Sequence, residues 1–296
     1  MRRLNKGFNL IELMISILVA SIIVAGLYSL MTSSVVNFGI SKGSAVAGAS
    51  VRRVDSTFND LLFQTGYMNY QRITNFALFQ ARTNTHNNLF ENWGAEQVVR
   101  VKYENSADSN YSDMLKIRFY GSSVSDNMSD GKGTAADGYI FDCQGQPLNN
   151  DVEMELIFYV RKGQGLLCRQ LAIGGKNPVD VVIDPNVINM RVQVGTSVGG
   201  AVGQTGAESA FYRVNGNALS PVTGSGTPPS WSEINLLRYA LVVSVPSGQK
   251  LVKRGAEFTL FPDDAHSPKY QVLKDDADAV NVHRIISGNV QFINRL

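Results

Sequence analysis

Apolar residues are concentrated at one end of this chain. From Phe8 to Met31 nearly every position is apolar or small, and from Leu13 to Met31 no residue is charged. As a helix, that uncharged run would be about 28 Å long, close to the hydrocarbon thickness of a bilayer. Beyond it the pattern becomes one-sided. Ala47, Val51, Val54, Phe58 and Leu61 recur at spacings of three and four, with Arg52, Arg53, Asp55, Asn59 and Asp60 between them. This predicts one helix over 8–62, apolar all round in its first half and amphipathic in its second, where a stripe docks on a folded body. Gly39, Gly43 and Gly48 fall between the halves. Each interior glycine costs roughly 1 kcal/mol of helix stability, so this stretch is expected to be the helix's flexible point.

From about residue 97 the period changes from helical to two. Val98–Tyr103 and Met114–Tyr120 alternate and predict paired strands. Tyr139–Cys143 and Glu153–Val160 also read as strands. Leu166–Leu171 follows a glycine-containing turn and reads as the returning arm of a hairpin. Further strands are expected at 186–195, 234–243 and 289–295. A short helix is expected at 73–82, and loops at 121–138, 199–230 and 262–281. The fold class is α+β: a long N-terminal helix on a large antiparallel β-rich domain, 63–296, built as one split sheet or as two.

Composition is globular. The formal charge of +2 from 27 basic and 25 acidic residues changes meaning once Arg2, Arg3 and Lys6 are set apart. The remaining 24 basic and 25 acidic side chains nearly balance. The basic excess is therefore an orientation signal that keeps the N-terminus cytoplasmic and exports the rest, not a nucleic-acid footprint. No catalytic or phosphate-binding motif occurs, and His86, His266 and His283 are scattered, so no enzyme, cofactor or metal is expected. The acidic loops with Asp126, Asp130, Asp137 and 275–278 lack the spacing of a calcium site and read as solvated. Trp93 and Trp231 read as core or loop anchors.

The small residue of this N-terminus precedes the apolar run instead of following it, unlike the cleavage site of an ordinary secretory signal. Cutting between Gly7 and Phe8 would remove the charges and keep the helix, with Glu12 as the fifth residue. A basic peptide, Gly7, Phe8 and Glu12 in this order resemble the prepilin leader of type IV pilins and pseudopilins. The plain alternative is a signal anchor with a chance Gly-Phe pair. The resemblance implies cleavage after Gly7 by prepilin peptidase and N-methylation of Phe8. It also implies that Glu12 sets register by pairing with an N-terminal amine during assembly. A carboxylate beside a membrane span is costly and usually functional. Leader 1–7, helix 8–62 and a span at about 8–31 follow. The helix carries no proline, whereas major pilins commonly have one.

Other segments narrow the resemblance. Asp113–Phe119, Asp142–Gly145, Leu166–Arg169, Asn186–Gly195, Trp231 with Ile234–Val243, and Asn289–Arg295 are similar to segments of the PilW-like minor pilins. Cys143 and Cys168 lie in the part expected to be exported, where a disulfide is the default and two free thiols the alternative. A loop of that length would be worth about 3 kcal/mol in the chain-entropy model. The same two segments look like the family's disulfide-bearing β region. The resemblance implies a pilus-priming subunit at or near the tip. Its partners would be other minor pilins, the major pilin, a tip adhesin, prepilin peptidase and the inner membrane. A J-like pseudopilin of type II secretion and a tip-displayed binding module are the alternatives.

Overall fold

The computed structural model describes residues 10–68, 79–82, 92–103, 112–123, 135–172, 178–197, 209–215, 218–222, 227–247, 255–265, 267, 269–271 and 281–292. One α-helix, α1, runs from Leu10 to Phe63. Its 54 residues measure about 80 Å. The expected stripe is the buried one: Ala47, Val54, Phe58 and Leu61 are inaccessible or nearly so.

The expected weak point does not break the helix, which is continuous through Gly39, Gly43 and Gly48. Gly43 is a place of close approach. A Cβ there would lie 3.2 Å from side-chain atoms of both Ser247 and Val282. Its missing side chain lets the helix cross the sheet tightly, and that contact offsets the helix-propensity cost.

Among the described residues the body has two five-stranded antiparallel sheets and a small two-stranded pair. The first sheet is β1 (Val99–Lys102), β2 (Met114–Tyr120), β3 (Glu153–Arg161), β4 (Gly165–Ala172) and β5 (Val179–Asp184), in that spatial order. The second contains β6 (Val187–Ser197), β7 (Ser209–Asn215), β8 (Ala218–Pro221), β9 (Leu236–Pro246) and β12 (Asn281–Gln291), ordered β12-β9-β6-β7-β8. Between β9 and β12 in sequence, β10 (Glu257–Thr259) pairs with β11 (Lys269–Gln271). The antiparallel α+β architecture is the one expected, and the sheet exists as two units.

Strand alternation sends Leu115, Ile117 and Phe119 of β2, and Leu156 and Phe158 of β3, into one core shared with Leu237, Tyr239 and Leu241 of β9. Phe58 of α1 joins the two sheets. Its ring meets Phe158 edge-on at 5.0 Å and Tyr239 edge-on at 4.9 Å.

Several expected elements differ. Tyr139–Cys143 is not a strand but a tight turn, because Asp142 Oδ1 accepts the Gln144 and Gln146 amides and so curls the chain. The region 199–230 contains β7 and β8, which close one side of the second sheet. The last strand begins at Asn281, eight residues before the expected start, and β11 lies inside the expected acidic loop. Of the short helix expected at 73–82, residues 73–78 lie outside the described residues. Residues 79–82 are not helical, and Arg82 forms a bridge with Trp93.

Candidate functional site

Two surfaces of α1 divide the work. Among the described residues the first half is not covered by the body: Leu10, Tyr28 and Phe38 are each at least 70% exposed, and the large apolar residues between them are exposed too. Its most apolar 18-residue window has a mean hydropathy of 2.6 and none of it is buried. By length and composition this half is able to cross a membrane. A helix apolar on all sides is stable only in lipid or among other apolar helices.

Gly7 and Phe8 lie outside the described residues. Glu12 lies in the first turn of α1 with its side chain exposed, and its backbone carbonyl accepts the Ser16 hydroxyl at 2.7 Å. Among the described residues no body side chain is recorded against it.

The second half is fastened to both sheets by polar groups set within the apolar stripe. Asp184, at the end of β5, is fully buried. Its carboxylate accepts Ser50 Oγ at 2.9 Å, Arg53 Nε at 3.1 Å and the Asn186 amide at 2.7 Å, and it pairs with Arg53 Nη2. Asn186 Nδ2 closes the ring by donating to Ser50 Oγ at 2.8 Å. On the second sheet the Tyr239 hydroxyl lies 3.0 Å from Asp55 Oδ1 and 2.9 Å from Asn59 Oδ1. Burial, reinforced by Asp55, pushes the Tyr239 phenol above its ordinary value, so it acts here as a hydrogen-bond donor.

Cys143 and Cys168 form a disulfide. It ties the 139–147 turn to β4, and Gln170 of β4 reinforces the tie. Gln170 Oε1 accepts the Cys143 amide at 2.9 Å, and its Nε2 donates to Asp142 at 2.9 Å. The same turn reaches the end of α1, where the Phe141 amide donates to Gln64 Oε1 at 2.8 Å. Helix end, turn and sheet are thereby one unit.

The two sheets are also stitched directly. Asp113, just before β2, accepts Arg191 Nη1 at 3.0 Å and the Val192 amide at 2.8 Å, both from β6. Burial raises the Asp113 carboxyl to about 6, against the opposing pull of Arg191 and the Val192 amide.

Among the described residues no group of three or more His, Cys, Asp or Glu side chains is arranged to hold a metal. Asp126, Asp130, 275–278, His86 and His266 lie outside the described residues. Asp137 Oδ2 accepts the Ser122 hydroxyl and its Oδ1 accepts the Tyr139 amide. His283 stacks on Phe258 and meets the Tyr270 ring at a tilt. Trp93 is buried, while Trp231 is half-buried beside Arg100.

The sequence reading missed the fastening groups. Arg53, Asp55 and Asn59 counted as polar-face residues, yet each contacts the body. Their partners lie more than 120 residues away, and no local pattern links them. Asp113 lies in the Asp113–Phe119 segment, but no local pattern points to Arg191, 78 positions away, as its partner.

Residues 2–28 match the family model of the prokaryotic N-terminal methylation motif. The N-terminus is therefore of the prepilin kind, and the apolar half of α1 begins within it. No curated protein matches the chain in sequence. A type IV-like pilin from Thermus thermophilus is among the solved structures with some likeness, at 12% identity and a TM-score of 0.42, over 83% of this chain and 97% of that one.

Proposed function

We propose that this chain is a minor pilin of the type IV pilus, PilW-like, that joins other minor pilins to prime assembly and takes a place at or near the tip. One observation carries the reading. A methylation motif over residues 2–28 leads into a single helix that is bare and apolar in its first half and bolted to a β-rich body in its second. Among the described residues the body gives the first half of this helix no cover, so its stable settings are a membrane and a bundle of like helices.

In this reading prepilin peptidase cuts after Gly7, and the new Phe8 amine is methylated. Residues 8–31 hold the subunit in the inner membrane with the body, 63–296, in the periplasm. The bare half then passes from lipid to a helix bundle. Glu12 pairs with an N-terminal amine there and sets the step between neighbours. The partners are other minor pilins, the major pilin and a tip adhesin, and the protein's role is structural.

The test compares a deletion strain with its parent for sheared surface pili and for type II-secreted proteins in the medium. Loss of pili with normal secretion is expected. Normal pili with blocked secretion would make the chain a J-like pseudopilin. If both are normal, priming is refuted and an accessory binding role at the tip takes its place.

A further inference from the structure

The first sheet has two unlike faces. One carries Leu115, Ile117, Phe119, Leu156 and Phe158 and lies in the apolar core with α1. The opposite face of the same two strands carries Lys116, Arg118, Glu153 and Glu155, all 6% exposed or less. Residues 79–82 and 92–97 cover it. The covering segments bond to each other: the Arg82 and Trp93 backbones exchange hydrogen bonds at 3.1 and 2.9 Å, and the Glu96 amide donates to the Phe79 carbonyl at 2.7 Å.

Side chains fasten this cover to the face beneath it. Arg118 holds three of the cover's carbonyls, donating to Gln97 at 2.5 Å, Gln80 at 2.8 Å and Gly94 at 3.0 Å. Trp93 Nε1 donates to Glu155 at 2.8 Å, and Arg82 donates to Glu153 at 2.7 Å. Lys116 Nζ and the Arg118 guanidinium lie over the Trp93 ring, 4.5 and 4.7 Å from its centre.

We propose that residues 79–82 and 92–97 are a strap that opens as one unit while the helix-packed core of the same sheet stays closed. The argument is the asymmetry of the two faces. Among the described residues, lifting α1 would expose a mainly apolar surface, with the Asp184 carboxylate as the one buried charge of this sheet that it covers. Lifting the strap returns four charged side chains to water, which recovers their hydration and offsets the lost pairing. The apolar side chains it exposes from the strap are chiefly those of Phe79 and Trp93. A segment held chiefly by side-chain hydrogen bonds and ion pairs over a water-compatible face, with Phe79 and Trp93 as its apolar anchors, belongs to the low-stability part of a fold. Arg118 is the positioning residue. Its planar fork reaches three carbonyls at once, a geometry that lysine cannot reproduce.

Amide hydrogen exchange on the full chain in detergent micelles tests this, across sub-denaturing urea. The amides of Arg82, Trp93 and Glu96 are expected to exchange at least about tenfold faster than the β2–β3 ladder, with a shallower urea dependence. Exchange of strap and ladder amides along one common isotherm would overturn the proposal. In Arg118→Lys the strap amides are expected to speed up by about a further tenfold with the ladder unchanged. Equal acceleration of both would refute a separate unit. Acrylamide quenching of Trp93 in a Trp231→Phe chain reads the same opening in an otherwise native protein. Quenching that begins only at global unfolding would count against the strap.

Discussion

Tyr239 lies so close over Gly288, its register partner on β12, that a Cβ at position 288 would fall 2.5 Å from the phenolic oxygen and 2.6 Å from Cζ. The ring is held on its other side by Phe58, Asp55 and Asn59 of α1. Movement of the ring away from Gly288 is therefore opposed by the helix.

Gly288→Ala is expected to push the ring toward α1 and to cost roughly 2–3 kcal/mol, the range for overpacking a tight core. Urea unfolding of the full chain in detergent measures it. Ser287→Ala, on the exposed neighbour, is the control and is expected to stay within about 0.5 kcal/mol of wild type. Equal stability of the two variants would mean that the Tyr239–Gly288 contact does not constrain helix docking.

The Asp184 ring makes a separate prediction. Asp184→Ala removes an acceptor from Ser50, Arg53 and the Asn186 amide at once. Arg53 is more than half exposed and can turn to water, so its share is small. The buried Ser50 hydroxyl and the Asn186 amide have less freedom. A loss of about 2–4 kcal/mol is expected, together with faster proteolysis within the docked half of α1. An unchanged cleavage pattern would show that the apolar stripe alone holds the helix.

These fastenings mark the limit of what the sequence makes legible. The stripe Ala47, Val54, Phe58 and Leu61 is readable because a helix repeats its buried face every three to four residues. Ser50 lies on that face, but its partner Asp184 is 134 positions away, and pairing at that distance leaves no periodic trace. The strands β2, β3 and β9 were legible as long runs of β-branched and aromatic residues. In contrast, β7 is flanked by Gly- and Ser-rich sequence, β8 has only four residues, and β5 is a short run beside a loop. Tyr139–Cys143 misleads in the other direction, since its apolar run is bent by the Asp142 carboxylate. The leader's order of charge, Gly7, Phe8 and Glu12 is local, so the methylation motif was readable without any tertiary knowledge.

Asp113 gives the fold a pH dependence with a definite sign. Its carboxyl is raised in the folded protein to about 6, chiefly by burial, from an ordinary value near 3.8. The protonated form is thus favoured on folding. Its contribution to stability is fully present below about pH 4 and is lost as pH rises through 6. Asp113→Asn cannot ionise and lacks this dependence. The stability of wild type minus that of the variant is expected to fall by about 2.4 kcal/mol between pH 4 and pH 7. Urea unfolding at unit pH steps measures the difference. A flat difference would mean that the Arg191 pair keeps Asp113 ionised throughout.

Glu12 gives a prediction about assembly, and it rests on the pilin reading. Its side chain is exposed on a helix surface that is otherwise apolar, so in lipid or in a helix bundle it lacks water's stabilisation. An N-terminal amine created at Phe8 would be the nearest positive charge once the leader is gone. Glu12→Gln keeps the size and removes the charge, leaving Gly7 and Phe8 for the peptidase. Cleavage is therefore expected to proceed normally, with the shortened chain accumulating in the inner membrane. An ionic contact of about 1–2 kcal/mol in an apolar setting translates into roughly tenfold less subunit in the sheared pilus fraction. Immunoblots of sheared and membrane fractions from the same cells measure both quantities. Normal recovery in the sheared fraction would remove Glu12 from register setting, and loss of cleavage would place its role at the peptidase instead.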